Sequence, residues 1–421
     1  MTLSKCQRQA EDAFLDFVQD PTMHEMVIAG PAGTGKTYLT KYLQRQIPAV
    51  MQMKKLLGTK DDLRTAYTAT TNKAAAVLSQ LTGQQARTIH SFLGLQIQLD
   101  FRTGKARLKA KRPVRHRNTL VFIDEASMVS RELRTYIKDL LLYKDSGNKI
   151  VYIGDQYQLP PVMEAGTPLF QKLPNQIHLT EIQRQAKGSP IITAAHQFRE
   201  VLDLGKGALW PKVQDTGKEI RLVEGWQMQD LMDAKYPTAT GPDDFKFVAW
   251  TNSRVKHASA HIRQVMGLPQ EFTIDEYVMV NEAMVSHDEV IFSTDQMVQI
   301  TDMEPAVSED GFEGWKVELN HSYVTFVAKH WTQVRDLQKA QSKNKDWVNF
   351  FLTKQRYADL RDVHAQTCHK AQGSTYGEVF IDLADIGRCN KWEEVARMVY
   401  VAISRAKDAV YLYGELPMKW R

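Results

Sequence analysis

The sequence predicts an α/β protein of two parallel-sheet domains, each interrupted by a β insert, and three observations lead there. Short β-branched and aromatic runs recur before loops and helical patterns, at 26–29, 121–123, 149–153, 247–250, 379–383 and 410–413, and read as buried parallel strands. These runs form one group in the first 180 residues and another beyond residue 240, so two domains are more economical than one very wide sheet. The chain, at 421 residues, is also too long for one ordinary domain. The expected domains are 1–180, with an insert over 92–117, and 181–421, with an insert over 277–364.

Composition narrows the class. Hydrophobic residues at 43% and charged residues at 24% are globular averages and exclude a disordered or fibrous chain. No run approaches the ~18 apolar residues that span a bilayer, and the polar start of the chain lacks an apolar core segment, so neither export nor membrane anchoring is expected. Cys6, Cys368 and Cys389 lie far apart without CxxC or Cys/His pairing, which points to a reducing cytoplasm rather than a zinc site or disulfide framework.

Taken in order, the strand at 26–29 leads into a glycine-rich loop and a helical pattern over 38–46. Leu95, Ile97, Leu99 and Phe101 alternate with polar residues, Thr103-Gly104 offers a turn, and Ala106, Leu108 and Ala110 alternate again, which is a β-hairpin pattern. Between Arg102 and Arg117 there are eight Lys or Arg residues and no acid, although the net charge of the chain is only +5. Such a run is a local polyanion footprint or a solvated edge that resists aggregation. Strand-like stretches at 277–280, 290–292, 296–301, 315–319 and 323–328 fit a small β-barrel. Trp347, Phe350, Phe351, Lys354 and Tyr357 then follow at helical spacing, as in an amphipathic helix docked on a neighbour.

Three motifs carry chemistry. Gly30, Pro31, Ala32, Gly33, Thr34, Gly35, Lys36 and Thr37 form a complete Gly-x4-Gly-Lys-Thr loop between a strand and a helix. In such a loop the backbone amides crowd a β-phosphate, Lys36 reaches the β- and γ-phosphates of ATP, and the Thr37 hydroxyl ligates Mg²⁺. Asp124 and Glu125 follow the apolar strand at 121–123. Asp124 is expected to hold Mg²⁺ through its water shell, and Glu125 to be the general base for an attacking water. A third strand ends in Gly-Asp-Gln-Tyr-Gln (154–158), where the Gln158 amide could detect the γ-phosphate. Alone, Asp-Glu is a common surface dipeptide and Gly-Asp-Gln a plain turn.

Those motifs, followed by Thr-Ala-Thr-Thr-Asn-Lys (68–73), Thr-Ile-His-Ser (88–91), His-Lys-Ala-Gln-Gly (369–373) and Tyr-Val-Ala-Ile-Ser-Arg (400–405), make a chain that resembles superfamily 1 DNA helicases over nearly its whole length. Leu-Thr-Glu-Ile-Gln-Arg (179–184) and the order of the inserts favour the RecD/Dda-like, 5′-to-3′ branch, known from compact phage members. The resemblance implies two RecA-like motor domains, a strand-separating pin at 92–117 and an SH3-like barrel at 277–364. It implies that Gln7 recognises adenine, that Arg184 and Arg405 are arginine fingers on the γ-phosphate, and that Gln372 and Gly373 lie near nucleotide and strand. Thr71, Asn72, His90, Thr251, Asn252, His369 and Lys370 become contacts to single-stranded DNA, mainly to sugar and phosphate. Trp250 stacks on a base or sits in the core, and Phe101 becomes the wedge of the pin. Phe-Ser-Thr-Asp-Gln (292–296) departs from the family, whose Dda-like members tend to have glycine before the glutamine, and the pin is more basic than the family leads one to expect.

What the resemblance implies for function is an ATP- and Mg²⁺-dependent helicase on single-stranded and forked DNA. It would act as a monomer, in the bacterial cytoplasm if the source is viral, with single-strand-binding or recombination proteins as candidate partners in replication or recombination. A translocase that displaces proteins or remodels forks, and an ATP-gated binding module, stay open beside it. RNA also stays open as the strand, since phosphate and stacking contacts tolerate either sugar.

Overall fold

The computed structural model describes residues 3–56, 63–100, 102–103, 105–110, 113–161, 164, 169–170, 173, 175–182, 189–286 and 289–420. Its first half runs α1 (Lys5–Gln19), β1 (Glu25–Ala29), α2 (Lys36–Leu56), β2 (Arg64–Ala69), α3 (Asn72–Thr82), β3 (Ala86–Thr88), α4 (Ile89–Leu93), β4 (Leu95–Asp100), β5 (Lys105–Ala110), β6 (Thr119–Asp124), α5 (Arg131–Leu141), β7 (Lys149–Gly154) and β8 (Gln176–His178). Six of these strands form a parallel sheet in the order β3-β2-β6-β7-β1-β8. Every residue of β7 and all but the last of β6 are buried, as a sheet covered on both faces requires. Strands β4 and β5 pair antiparallel as a separate hairpin. Helix α2 extends beyond the expected 46 to Leu56 and carries Pro48 in its interior, a residue that reads as a stop signal in sequence.

Helix α1 starts on a capping box in which Ser4 and Gln7 exchange side-chain and backbone hydrogen bonds. Its other end is held from a distance. The ammonium of Lys149, buried in β7, donates to the carbonyls of Phe17 (2.8 Å), Asp20 (2.6 Å) and Met23 (2.5 Å).

The second half continues with α6 (Pro190–Leu204), β9 (Ile220–Val223), α7 (Gly225–Lys235), β10 (Phe245–Ala249) and α8 (Asn252–Val265). It then enters an insert of β11 (Tyr277–Val280), β12 (Met284–Ser286), β13 (Glu289–Phe292), β14 (Met297–Val307), β15 (Glu313–Leu319), β16 (Tyr323–Ala328), α9 (Trp331–Lys343), α10 (Trp347–Arg356) and β17 (Leu360–Asp362). It closes with β18 (Ala365–Thr367), α11 (Cys368–Ala371), β19 (Tyr376–Asp382), α12 (Leu383–Ile386), α13 (Trp392–Ser404) and β20 (Ala406–Tyr413). Strands β18-β10-β19-β20-β9 form a second sheet, again parallel throughout. Between α13 and α6 the packing is extensive, and one buried core joins both helices to Leu159, Tyr157 and Ala32 of the first half.

In the insert, β16-β15-β14-β11-β17 form an antiparallel sheet. Its two edges meet at a bridge between Phe326 and Tyr357, where Ala358 N donates to Phe326 O at 2.9 Å, so the sheet closes on itself around Val278, Val298, Ile300, Val317 and Leu319. The stretch at 290–292 pairs with 284–286 in a separate ribbon, and α9, with Val334 its one buried residue, has no counterpart in the sequence reading. Arg263 of α8 anchors the insert. Its buried guanidinium pairs with Glu276 and Asp362, at the two ends of the insert, and donates to the carbonyls of Pro269 (2.8 Å) and Glu271 (2.7 Å).

Candidate active site between the two sheets

The loop that follows β1 is fixed at both ends. Gly30 N donates to Gly154 O at 3.0 Å, which ties its start to the end of β7. Gly33 and Gly35 take φ values of 86° and 76°, open to glycine without strain, and the turn delivers Lys36 and Thr37 to the first turn of α2. The Lys36 ammonium donates to Gly30 O (2.6 Å) and Pro31 O (3.1 Å), and Thr34 Oγ1 donates to Pro31 O (2.9 Å). Gln7 lies beneath the loop, where its Nε2 donates to Thr34 O at 3.1 Å and its Oε1 accepts from Ser4 N at 3.1 Å. Gln7 therefore connects the capping box of α1 to the phosphate loop.

Asp124 and Glu125 end β6, two strands from β1. Burial and the adjacent Glu125 carboxylate push the Asp124 carboxyl up to about 7, against the lowering influence of the Glu125 amide and Lys36. Glu125 takes a left-handed conformation, φ 51° and ψ 41°, and its Oε2 is buried without a hydrogen-bond partner. Gln158, beyond the end of β7, has the same property: its Oε1 is buried and unpartnered. Two orphaned acceptors are costly for the protein alone, and each is free to accept a hydrogen bond from a water.

From the second sheet, Gln372 Nε2 donates to Ser127 Oγ at 3.3 Å, and a Cβ on Gly373 would stand 3.8 Å from Glu125 Oε1. Helix α13 contributes more than the sequence reading assigned to it. The buried Tyr400 hydroxyl accepts from Ala32 N of the phosphate loop at 2.9 Å and donates to Asp155. One turn earlier, Arg397 donates to the carbonyls of Gln156 (2.6 Å) and Gln158 (2.8 Å). The only sequence signal for this pair is its i, i+3 spacing on one helix. Arg405, at the end of the same helix, directs its guanidinium to Ser374 O (3.1 Å), Val401 O (3.2 Å) and Ser404 Oγ. Arg184 and Phe101 lie outside the described residues.

The expected strand contacts follow two neighbouring strands at one edge of each sheet. In the first sheet these are β2 and β3, after which come Thr71 and Asn72 at the start of α3 and His90 in α4. In the second they are β10 and β18, followed by Trp250, Thr251 and Asn252 at the start of α8 and by His369 and Lys370 in α11. Thr71 Oγ1 caps α3, and Thr251 Oγ1 caps α8 while donating to Asp385 at 2.8 Å. Trp250 is half-buried against the core of the second half. Burial pushes the His90 and His369 imidazoles below their ordinary value, Glu394 opposing it at His369, which favours their neutral forms. Asn252, Thr367 and Lys370 share with Lys256, Asp359 and Arg361 the wall of a cavity of about 360 Å³ between α8 and the insert.

Residues 2–204 match the AAA domain family and residues 362–413 the UvrD-like helicase C-terminal domain family. Over 438 aligned positions the chain is 26% identical to the ATP-dependent DNA helicase dda of Enterobacteria phage T4, covering 92% of this chain and 94% of that one. It is 37% identical over 174 positions to the ATP-dependent RecD2 DNA helicase of Deinococcus radiodurans, covering 41% of this chain and 21% of that protein. In three dimensions it resembles a Pif1 helicase from a study of DNA unwinding at forked dsDNA, with a TM-score of 0.53 at 17% identity over 100% of this chain and 94% of that one. It resembles the Bacteroides Pif1 helicase in complex with ADP-AlF3 and ssDNA with a TM-score of 0.50 at 15% identity, over the same 100% and 94%. At such identities the structural likeness speaks for the fold, a mixed α/β architecture of parallel sheets. Among the described residues no helix is long and apolar enough to cross a membrane.

Proposed function

Because this chain belongs to the superfamily 1 DNA helicases of the Dda/RecD-like branch, we propose that ATP hydrolysis in the cleft between its two sheets drives it 5′ to 3′ along single-stranded DNA and separates duplex ahead of it. The observation that carries this reading is that the second half reaches the loops bearing Lys36, Asp124, Glu125 and Gln158: Tyr400 bonds Ala32 N, Arg397 bonds the Gln158 carbonyl, Gln372 bonds Ser127 Oγ, and Gly373 lies beside Glu125. A site shared by two bodies changes their separation when its contents change charge, and that is what a motor needs.

In this reading Lys36 neutralises the β- and γ-phosphates. Glu125 takes a proton from the attacking water as its oxygen bonds the γ-phosphorus; the bond to the β–γ bridging oxygen breaks, and ADP and phosphate result. Gln158 senses the γ-phosphate. Arg405 serves as an arginine finger by exchanging Ser374 O for a phosphate oxygen as the cleft closes, and Arg184 acts as the second finger. Gln7 meets the adenine. Thr37 and Asp124 supply the hard oxygen donors that suit Mg²⁺, an ion that takes few protein ligands. When bound, Mg²⁺ neutralises charge on the phosphate oxygens.

The units of this motor are 1–180 and 181–421, both RecA-like. The strand runs past the edge residues Thr71, Asn72, His90, Trp250, Thr251, Asn252, His369 and Lys370. The hairpin within 92–117, with Phe101, acts as the pin, and the closed sheet within 277–364 as an SH3-like barrel. We infer a monomer on single-stranded and forked DNA, meeting single-strand-binding or recombination proteins in the cytoplasm of a bacterial host. Turnover of ATP with and without an oligonucleotide tests the core of this: strong stimulation by single strands in the native chain, abolished in Glu125→Gln, supports it, and strand-independent turnover contradicts it.

A further inference from the structure

Lys370, which the proposed strand path includes, has its ammonium already engaged by the insert. It donates to Asn281 Oδ1 at 2.6 Å and to Asp295 Oδ1 at 2.6 Å. Neither partner belongs to the second sheet: Asn281 follows β11, and Asp295 lies in the turn between β13 and β14. Both are held in place. Asn281 Nδ2 donates to Asp359 at 2.7 Å. Asp295 N donates to Val280 O at 2.8 Å, Val280 N donates to Gln296 O at 2.9 Å, and Asp295 takes φ 61°, a left-handed conformation that the turn imposes. The carboxylate is thus delivered to Lys370 by a fixed turn rather than by a wandering surface side chain. An ammonium has three donors, and the insert uses two of them.

We propose that Asp295 is a resident competitor for the DNA phosphate at Lys370, so that the β insert sets how tightly, and with what salt dependence, a single strand is held there. The proposal rests on Lys370 being a strand contact. Lys370 and Asp295 together carry no net charge, so a phosphate arriving at the pair neutralises nothing until the carboxylate is displaced. Exchange of one anion for another also spares Lys370 from standing unpaired as a phosphate leaves, which lowers the cost of releasing each phosphate during stepping.

The test is equilibrium binding of the full chain to a fluorescent oligothymidylate over a range of salt, for the native protein, Asp295→Asn, Asp295→Gly, Lys370→Ala and the Asp295→Asn/Lys370→Ala pair. Asparagine and glycine both accept the left-handed turn. Each Asp295 variant is expected to bind about fivefold tighter at low salt, the size of one half-exposed ion pair. Its logarithmic salt slope is expected to be steeper by about 0.7, one more phosphate neutralised on a single strand. In the Lys370→Ala background Asp295→Asn should change nothing. Equal gains with and without Lys370 would mean diffuse repulsion and overturn the proposal, as would no gain in either Asp295 variant while Lys370→Ala weakens binding. If Lys370→Ala binds as the native chain does, the strand-contact reading of Lys370 falls and the proposal with it.

Discussion

Glu125 adopts a left-handed backbone at the end of a buried strand, a conformation that costs a residue with a side chain about 1–2 kcal/mol. Its carboxylate lies toward Gly373, and one of its oxygens is buried without a partner. Glu125→Gln keeps the shape and loses the proposed base, so we expect normal ATP affinity with turnover down about 10²–10⁴-fold in steady-state kinetics. Lys36→Ala should lower turnover at least about 100-fold and weaken nucleotide binding as well, measurable by titration with a fluorescent ATP analogue. Tyr400→Phe leaves Ala32 N and Asp155 without a shared hydroxyl in a buried setting. We expect a loss on the order of 2 kcal/mol, read as a lower Tm, together with less strand separation per ATP. The loop residues 30–37 and the pair Asp124-Glu125 were legible in the sequence because each is a contiguous strand-to-loop signal. Tyr400 with Asp155 and Gln372 with Ser127 are each separated by 245 residues, and nothing local in one sequence reports such a contact.

Among the elements, those with strong apolar patterning were readable: β1, β6, β7, β10, β19 and β20 lie where alternation and β-branching put them. Helix α9 was not, since it is polar on most sides and buries Val334 alone. Closure of the insert was implied by the number of strands, but the closing contact is one bridge, Phe326 to Tyr357, with no sequence pattern of its own. Two buried cations hold elements together and allow direct tests. Arg263→Met leaves Glu276 and Asp362 unpaired at the ends of the insert, and we expect a loss of about 3–5 kcal/mol with early proteolysis near those ends. Lys149→Met removes three hydrogen bonds from carbonyls at and beyond the end of α1, costing on the order of 3 kcal/mol and exposing α1 to faster hydrogen exchange.

For the molecule as a whole, the junction of the two sheets is also where nucleotide chemistry is expected, and α13 is buried on nearly every side between them. Its Arg397 and Tyr400 touch the loops that carry Gln158 and Lys36, while strand contacts are expected at the far edge of both sheets. In the proposed function this helix connects the place of hydrolysis to the movement of the second sheet along the strand. The most direct test is ATP-dependent separation of two duplexes with Mg²⁺ present, one with a 5′ single-stranded tail and one with a 3′ tail, Lys36→Ala serving as control. Separation of the 5′-tailed duplex alone, and none by Lys36→Ala, is expected; preference for the 3′ tail, or strand separation that survives loss of Lys36, would overturn the proposed polarity or the proposed motor.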